Sequence, residues 1–266
     1  PTRPFHMTPV RWLLLFALMM LMMLPGHLVA QDGLRAYRLF TGEGSRLEFE
    51  ELREQTARTQ VFLFGEQHDN PIAHWLRLEL VKALFDDGHR LVLGLEMFNR
   101  RQQESLQAFL RHELSLAEFR QQSELWPNFE TDYLPILRFA RNKRIPVWGT
   151  NVPREYARTV FHHGLDSLLR LPDTALRYMA PLPLKVDRSL PSYREMGRML
   201  TQHPGQGQAP ESSPAQQADT LSPSQARFID AQALKDATMA HSIDRHLPRE
   251  GIFIHLNGAF HSRRNE

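Results

Sequence analysis

A chain of 266 residues with 42% hydrophobic and 23% charged residues can bury one large core, which excludes wholesale disorder. With no cysteine, disulfides, zinc–thiolate and iron–sulfur centres, thiol nucleophiles and an acylated N-terminal cysteine all drop out, so any metal or haem must be held by His, Tyr, Met or carboxylate. The 32 basic residues nearly balance the 30 acidic ones, and no Lys/Arg stripe interleaves with aromatics, so nucleic-acid binding is not expected.

Trp12 to Leu24 is an unbroken apolar run behind Arg3 and Arg11, followed by Pro25-Gly26 and the small-residue ending Leu28-Val29-Ala30. A basic start, a short apolar stretch and a break before a small residue predict a secretory signal over residues 1–30, cleaved near Ala30. Thirteen apolar residues fall short of the roughly 20 that span about 30 Å of hydrocarbon. The expected location is the periplasm or cell envelope, with no cysteine for lipid attachment.

Four apolar runs follow: Val61–Phe64, Leu91–Leu95, Ile145–Trp148 and Ile252–Leu256. Near-continuous apolar character over four to six residues fits strands buried on both faces of a parallel sheet. Between the first two, Asn70-Pro71 opens a helix running to Asp87, with Ile72, Trp75, Leu76, Leu80 and Leu84 on one stripe and Gly88 as its stop. A second helix is expected over Asp132–Lys143. Residues 100–126 read as a polar helical cover. The alternation of strand and helix predicts an α/β fold, a parallel sheet flanked by helices.

Prolines 172, 181, 183 and 191 break residues 153–200 into short helices, read as a smaller inserted helical subdomain of the 31–266 domain. Residues 201–224 turn to Pro, Gln, Ser and Gly, the composition of a flexible loop. A long helix over Pro223–His246 leads into the fourth strand. With only His261 to Glu266 behind its loop, that strand is expected either near a sheet edge or followed by a natural tail not present here, the latter being preferred.

Ligands of open parallel sheets collect at the carboxyl ends of the strands. Those ends carry Glu66 with His68 and Asp69, then Glu96, then Asn151, then Asn257 with His261. Asp69 or Asn70 reads as a helix cap, Asn151 as a loop tie, and His162, His163, His241, His246 and His255 as surface or alternating-strand positions. The two G-x-x-H segments, Gly65–His68 and Gly258–His261, each end an apolar strand and carry more weight together than either alone. No G-x-S-x-G elbow and no phosphate-cradling glycine loop is present. The remaining His/carboxylate pocket suits a divalent metal with open positions, a proton-transfer pair, or the polar rim of a larger ligand.

The segments Val61–Asn70, Leu93–Phe98, Tyr133–Asn151 and Gln232–Ala240 together resemble the ChaN family of haem-binding uptake proteins, within the Tiki-like superfamily. The resemblance implies a role in haem and iron uptake, a tyrosine as iron ligand, a homodimer holding haem between subunits, and an outer-membrane haem receptor as partner. Tyr193, in a helical segment with Met196 and Met199, is the candidate ligand. The superfamily also implies an alternative, a metal-dependent hydrolase of peptidase or esterase type. In that reading His68, His261 and one of Glu66 and Glu96 hold a divalent metal ion, and the other glutamate is the general base. Haem binding would then depend on Tyr193 with Glu96 nearly silent, and hydrolysis the reverse.

Overall fold

The computed structural model describes residues 36–202 and 221–262. The expected export segment 1–30, residues 203–220 of the expected loop, and residues 263–266 lie outside them.

A two-residue hairpin, β1 (Leu39–Phe40) with β2 (Arg46–Leu47), precedes α1 (Phe49–Ala57). The sheet proper is built from β3 (Val61–Glu66), β4 (Leu91–Asn99), β5 (Val147–Asn151) and β6 (Ile252–Gly258), all parallel, in the order β3-β6-β4-β5. The fold is therefore the expected α/β arrangement. β6 pairs with β3 on one side and β4 on the other, so it lies inside the sheet and not at an edge. All seven of its residues are buried, which accounts for its near-continuous apolar run. His255 is buried with them, correcting its reading as a surface or alternating position.

Helix α2 (Pro71–Asp86) starts where Asn70 accepts hydrogen bonds from the Ile72 and Ala73 amides, with Pro71 in the first turn. Its buried face is turned from the expected stripe. Leu76, Leu80, Val81 and Leu84 are buried together with His74 and Arg77, whereas Trp75 and Ile72 are exposed. A polar pair thus occupies part of the face that periodicity gave to hydrophobes. Residues 100–126 form α3 (Gln103–Leu110) and α4 (Leu116–Gln122), and they do more than cover. Phe109 and Phe119 stack at 4.7 Å and, with Phe98 and Phe129, make an aromatic layer of the main core. The next helix is shorter than expected: a π-helical turn at Phe129–Tyr133 precedes α5 (Leu134–Lys143).

Beyond β5 come α6 (Arg154–His163), the short α7 (Asp173–Leu176) and α8 (Pro191–Gln202). They pack on the 24-residue α9 (Pro223–His246), whose Ser222 cap and Pro223 set its start where the sequence places it. Two apolar clusters result, one around Val152, Val160 and Leu234 and one around Tyr193, Met196 and Ile229. Arg100, at the end of β4, anchors α9. Its guanidinium donates to the Thr238 and Met179 carbonyls and to Ser242 Oγ at 2.8–2.9 Å. Among the described residues no helix is long and apolar enough to cross a membrane.

Candidate functional site

The carboxyl ends of β4 and β6 are tied to α8 and α9 by one chain of hydrogen bonds. Glu96, on β4, is 6% exposed and accepts from the Gly258 amide at 2.7 Å. Its other oxygen lies 3.3 Å from His261 Nε2, in the 3-10 turn that follows β6. His261 Nδ1 meets Asp236 Oδ1 of α9 at 2.5 Å, and Tyr193 Oη of α8 donates to Asp236 Oδ2 at 2.8 Å. The order is Glu96, His261, Asp236, Tyr193, an imidazole between two carboxylates with a phenol at the far end.

The electrostatics follow from that order. Burial works against charge on both Glu96 and His261, yet their partners prevail. The bond and charge of His261, the Gly258 amide and the charge of His68 draw Glu96 down to about 2. The bonds and charges of Asp236 and Glu96 lift His261 to about 10. At neutral pH the pair is an imidazolium–carboxylate. His68 goes the other way: burial, assisted by the charges of His261 and His74, lowers it against the pull of Glu96 and Asp69.

Glu66 occupies a different setting. Only 2% exposed, it is ion-paired with Arg77 of α2 in a very short contact, accepts from Tyr133 Oη at 2.8 Å, and has His74 Nδ1 at 3.3 Å and His68 Nδ1 at 3.5 Å. Burial pushes the Tyr133 phenol up to about 12 against the pull of Arg77, and lowers Arg77 to about 10. Both therefore keep their protons and donate. Beneath His68, His74 Nε2 (3.1 Å) and Asn128 Nδ2 (2.7 Å) approach its carbonyl oxygen, and Trp126 meets its ring edge-on. This network holds the first G-x-x-H loop in place.

The second glycine of the paired motifs has a steric reason. A Cβ on Gly258 would stand 2.8 Å from His68 Nε2, so the close approach of the two loops needs a residue without one.

Two cavities meet at His261. One, of about 310 Å³, is lined by Leu63, Tyr193, Met196, Met239, Ile243 and Phe260 beside Asp236 and His255. The other, of about 530 Å³, lies against His68, Glu96, Trp126 and Asn151 and reaches Arg154 and Lys235. Asn151 bridges strands here, donating to the Glu96 carbonyl at 3.2 Å.

In the set expected to build a metal site, with His68, His261 and one glutamate as ligands and the other glutamate as base, both glutamates are already engaged. Glu66 is committed to Arg77 and Tyr133, and Glu96 to His261 and Gly258. Among the described residues no group of three or more His, Asp or Glu side chains is placed to hold a metal ion. Both G-x-x-H histidines do reach the strand ends, and Tyr193 does reach a cavity beside them. Glu96 and Tyr193 are joined through two hydrogen-bonded side chains, His261 and Asp236.

Sequence reasoning missed Arg77, Tyr133, His74 and Asp236. An arginine inside an otherwise apolar helix stripe was the available sign of Arg77. Asp236 sits within Gln232–Ala240 but carries no local mark of its role.

Comparison with known proteins agrees with this architecture. Residues 52–266 match the family described as haem-binding uptake, Tiki superfamily, ChaN. The solved structure described as cofacial heme binding to ChaN of Campylobacter jejuni is similar, with a TM-score of 0.59, 17% identity, and coverage of 84% of this chain and 80% of that one. A crystal structure of a Bacillus cereus protein is more distant, at a TM-score of 0.37, 15% identity, and 80% and 60% coverage, too low to carry an argument. No curated protein matches the chain. Matched over most of its length, the chain belongs to the ChaN family of haem-binding uptake proteins in the Tiki superfamily.

Proposed function

We propose that this protein is an exported haem carrier of the cell envelope, serving haem and iron uptake, with Tyr193 as the iron ligand. The observation that carries the reading is the Tyr193 phenol, 9% exposed, at the wall of a methionine-bearing cavity and bonded to a carboxylate. Haem, when bound, would supply an iron that a phenolic oxygen could hold. The residues present fit that group. Leu63, Met196, Met239, Ile243 and Phe260 supply apolar surface, and Asp236, which accepts from the Tyr193 phenol, could take up the proton that phenol would lose on becoming a ligand. His261, shared with Glu96, holds Asp236 in place.

A cavity of about 310 Å³ is at the low end for ligand sites and takes one edge of a macrocycle, leaving the rest outside, where Leu63 is exposed. A homodimer closing over that remainder, and an outer-membrane receptor as the source of haem, complete the proposal. The case for export rests on the basic and apolar pattern of residues 1–30. The hydrolase reading is less well supported, since both glutamates it needs are engaged with other side chains.

A haem titration read by absorbance tests the assignment. A saturable Soret shift in the wild type, weakened at least roughly tenfold in Tyr193→Phe, is the expected result. Equal titrations in both proteins would remove Tyr193 as the ligand, and no saturable binding in either would remove the carrier.

A further inference from the structure

The larger cavity, on the Trp126 side of His261, contains something the haem reading does not use. Arg154 opens α6 and Lys235 lies on α9, and both line this chamber. Neither side chain makes a hydrogen bond or ion pair among the described residues, whereas those of Arg77, Arg100, Arg101 and Arg188 are all engaged. Of the acidic groups on the same wall, Glu96 is already matched by His261, and only the exposed Glu124 remains unmatched. Asp236, next to Lys235 in sequence, gives its oxygens to His261 and Tyr193 on the other side. Glu155, next to Arg154, is paired with Arg101. The chamber thus keeps an excess of positive charge. Its remaining polar lining is uncharged: the His68 imidazole, and the side chains of Asn99, Gln102 and Asn151.

The same two cations border a shallower groove of about 310 Å³, in which Phe161 and Phe228 meet edge-to-face at 6.3 Å. Charge and apolar surface therefore adjoin at Arg154 and Lys235. We infer that this chamber is a second binding site, one for an organic carboxylate held between Arg154 and Lys235 with its apolar body toward Phe161 and Phe228. A guanidinium takes a carboxylate in a two-pronged contact and an ammonium adds a point charge, so the pair suits that group better than a neutral polar ligand. The free-acid arm stands apart from the assignment of Tyr193, and the propionate arm rests on the proposed haem binding. The carboxylate has two sources, a free organic acid or the propionates of haem itself, and both present the same group.

Isothermal titration of the full chain with glutarate, and haem titrations with haem and with its dimethyl ester, separate these sources. If a free acid is the occupant, glutarate gives a saturable isotherm that weakens at least roughly tenfold in Arg154→Ala and in Lys235→Ala and returns in part in Arg154→Lys. It is unchanged in Lys185→Ala, at an exposed lysine that lines neither the chamber nor the groove. If propionates are the occupant, haem binds at least roughly tenfold tighter than its diester in the wild type, and this preference is lost in the Arg154→Ala/Lys235→Ala double variant. The inference is overturned if neither the glutarate isotherm nor the diester preference differs between wild type and double variant. Because glutarate binding is read without haem, failure of the Tyr193 assignment leaves that arm intact.

Discussion

His261 Nε2 lies 3.3 Å from Glu96 Oε1, an ion pair that joins the carboxyl end of β4 to the turn after β6. Stability should carry the mark of this pair. Glu96 titrates at about 2 in the fold against an ordinary 4.5, so the native state binds fewer protons and stability falls as pH drops from about 4.5 through 2. His261 titrates at about 10 against 6.5, so its contribution is complete below 6.5 and disappears as pH rises to about 10. Urea midpoints measured across pH should fall on both sides, and Glu96→Gln should flatten the acid limb below 4.5 and bring the alkaline one to lower pH. His255, which burial holds neutral down to about 4, adds a separate loss between pH 6.5 and 4 that Glu96→Gln leaves in place. An unchanged acid limb in the variant would show that Glu96 is not its source.

Glu66 and Arg77 form a buried pair, and breaking such a pair costs more than replacing it. Glu66→Leu leaves an unmatched guanidinium inside the core and should cost about 3–5 kcal/mol of unfolding free energy. Glu66→Leu with Arg77→Met should recover much of that. Denaturant titrations of the two variants make the comparison. A double variant as unstable as the single one would mean that Tyr133 and His74, not the charge of Arg77, set the cost.

Arg100 fastens the end of β4 to α9 and to the Met179 carbonyl through bonds that water cannot readily replace in a half-buried position. Arg100→Ala should destabilise by about 3 kcal/mol, since bonds to a charged donor contribute roughly 1.5–3 kcal/mol each and do not add fully. Hydrogen exchange of α9 amides should accelerate more than that of α2. Uniform acceleration would place the effect in global unfolding instead.

Gly258→Ala separates geometry from stability. Its Cβ would press on the His68 ring, whose side chain is 41% exposed and free to swing out, so the fold should lose less than about 1 kcal/mol. His68 should nevertheless leave its edge-on contact with Trp126 and titrate nearer its ordinary value, which proton NMR of the imidazole can follow. A His68 titration identical to that of the wild type would show that the ring tolerates the added carbon where it stands.

The legible parts of the fold are those with a strong local pattern. Pro223–His246 is bounded by a cap, a proline and a change of composition, and the helix has those bounds in the structure. β3 and β6 announce themselves as apolar runs ending in glycine and polar residues. What local pattern cannot express is adjacency. Nothing near Ile252 says that this strand sits between β3 and β4, and nothing near Lys235-Asp236 says which carboxylate or ammonium faces which cavity. The same limit hid Arg77, because a charged side chain on an apolar helix face is explained only by the partner it meets, and Glu66 lies on another element. Glu66 and Glu96 look alike in sequence, each ending an apolar run. One is held by an arginine inside the core and the other by a histidine at the cavity wall, which only the three-dimensional neighbourhood distinguishes.

The position of β6 has a consequence for how the chain assembles. Val61 must wait for Phe253, and Leu91 for Ile252, before either strand gains a hydrogen-bonded neighbour on that side. During synthesis, β3 and β4 are therefore made early and kept apart by a space that nothing yet produced can fill. Sheet closure is a late, all-at-once event with high contact order, and a nascent chain stopped short of Ile252 leaves unpaired the two strand edges that β6 joins, with the core open. Such a chain is slow to commit to its compact form and, while it waits, open to capture by anything that binds extended polypeptide.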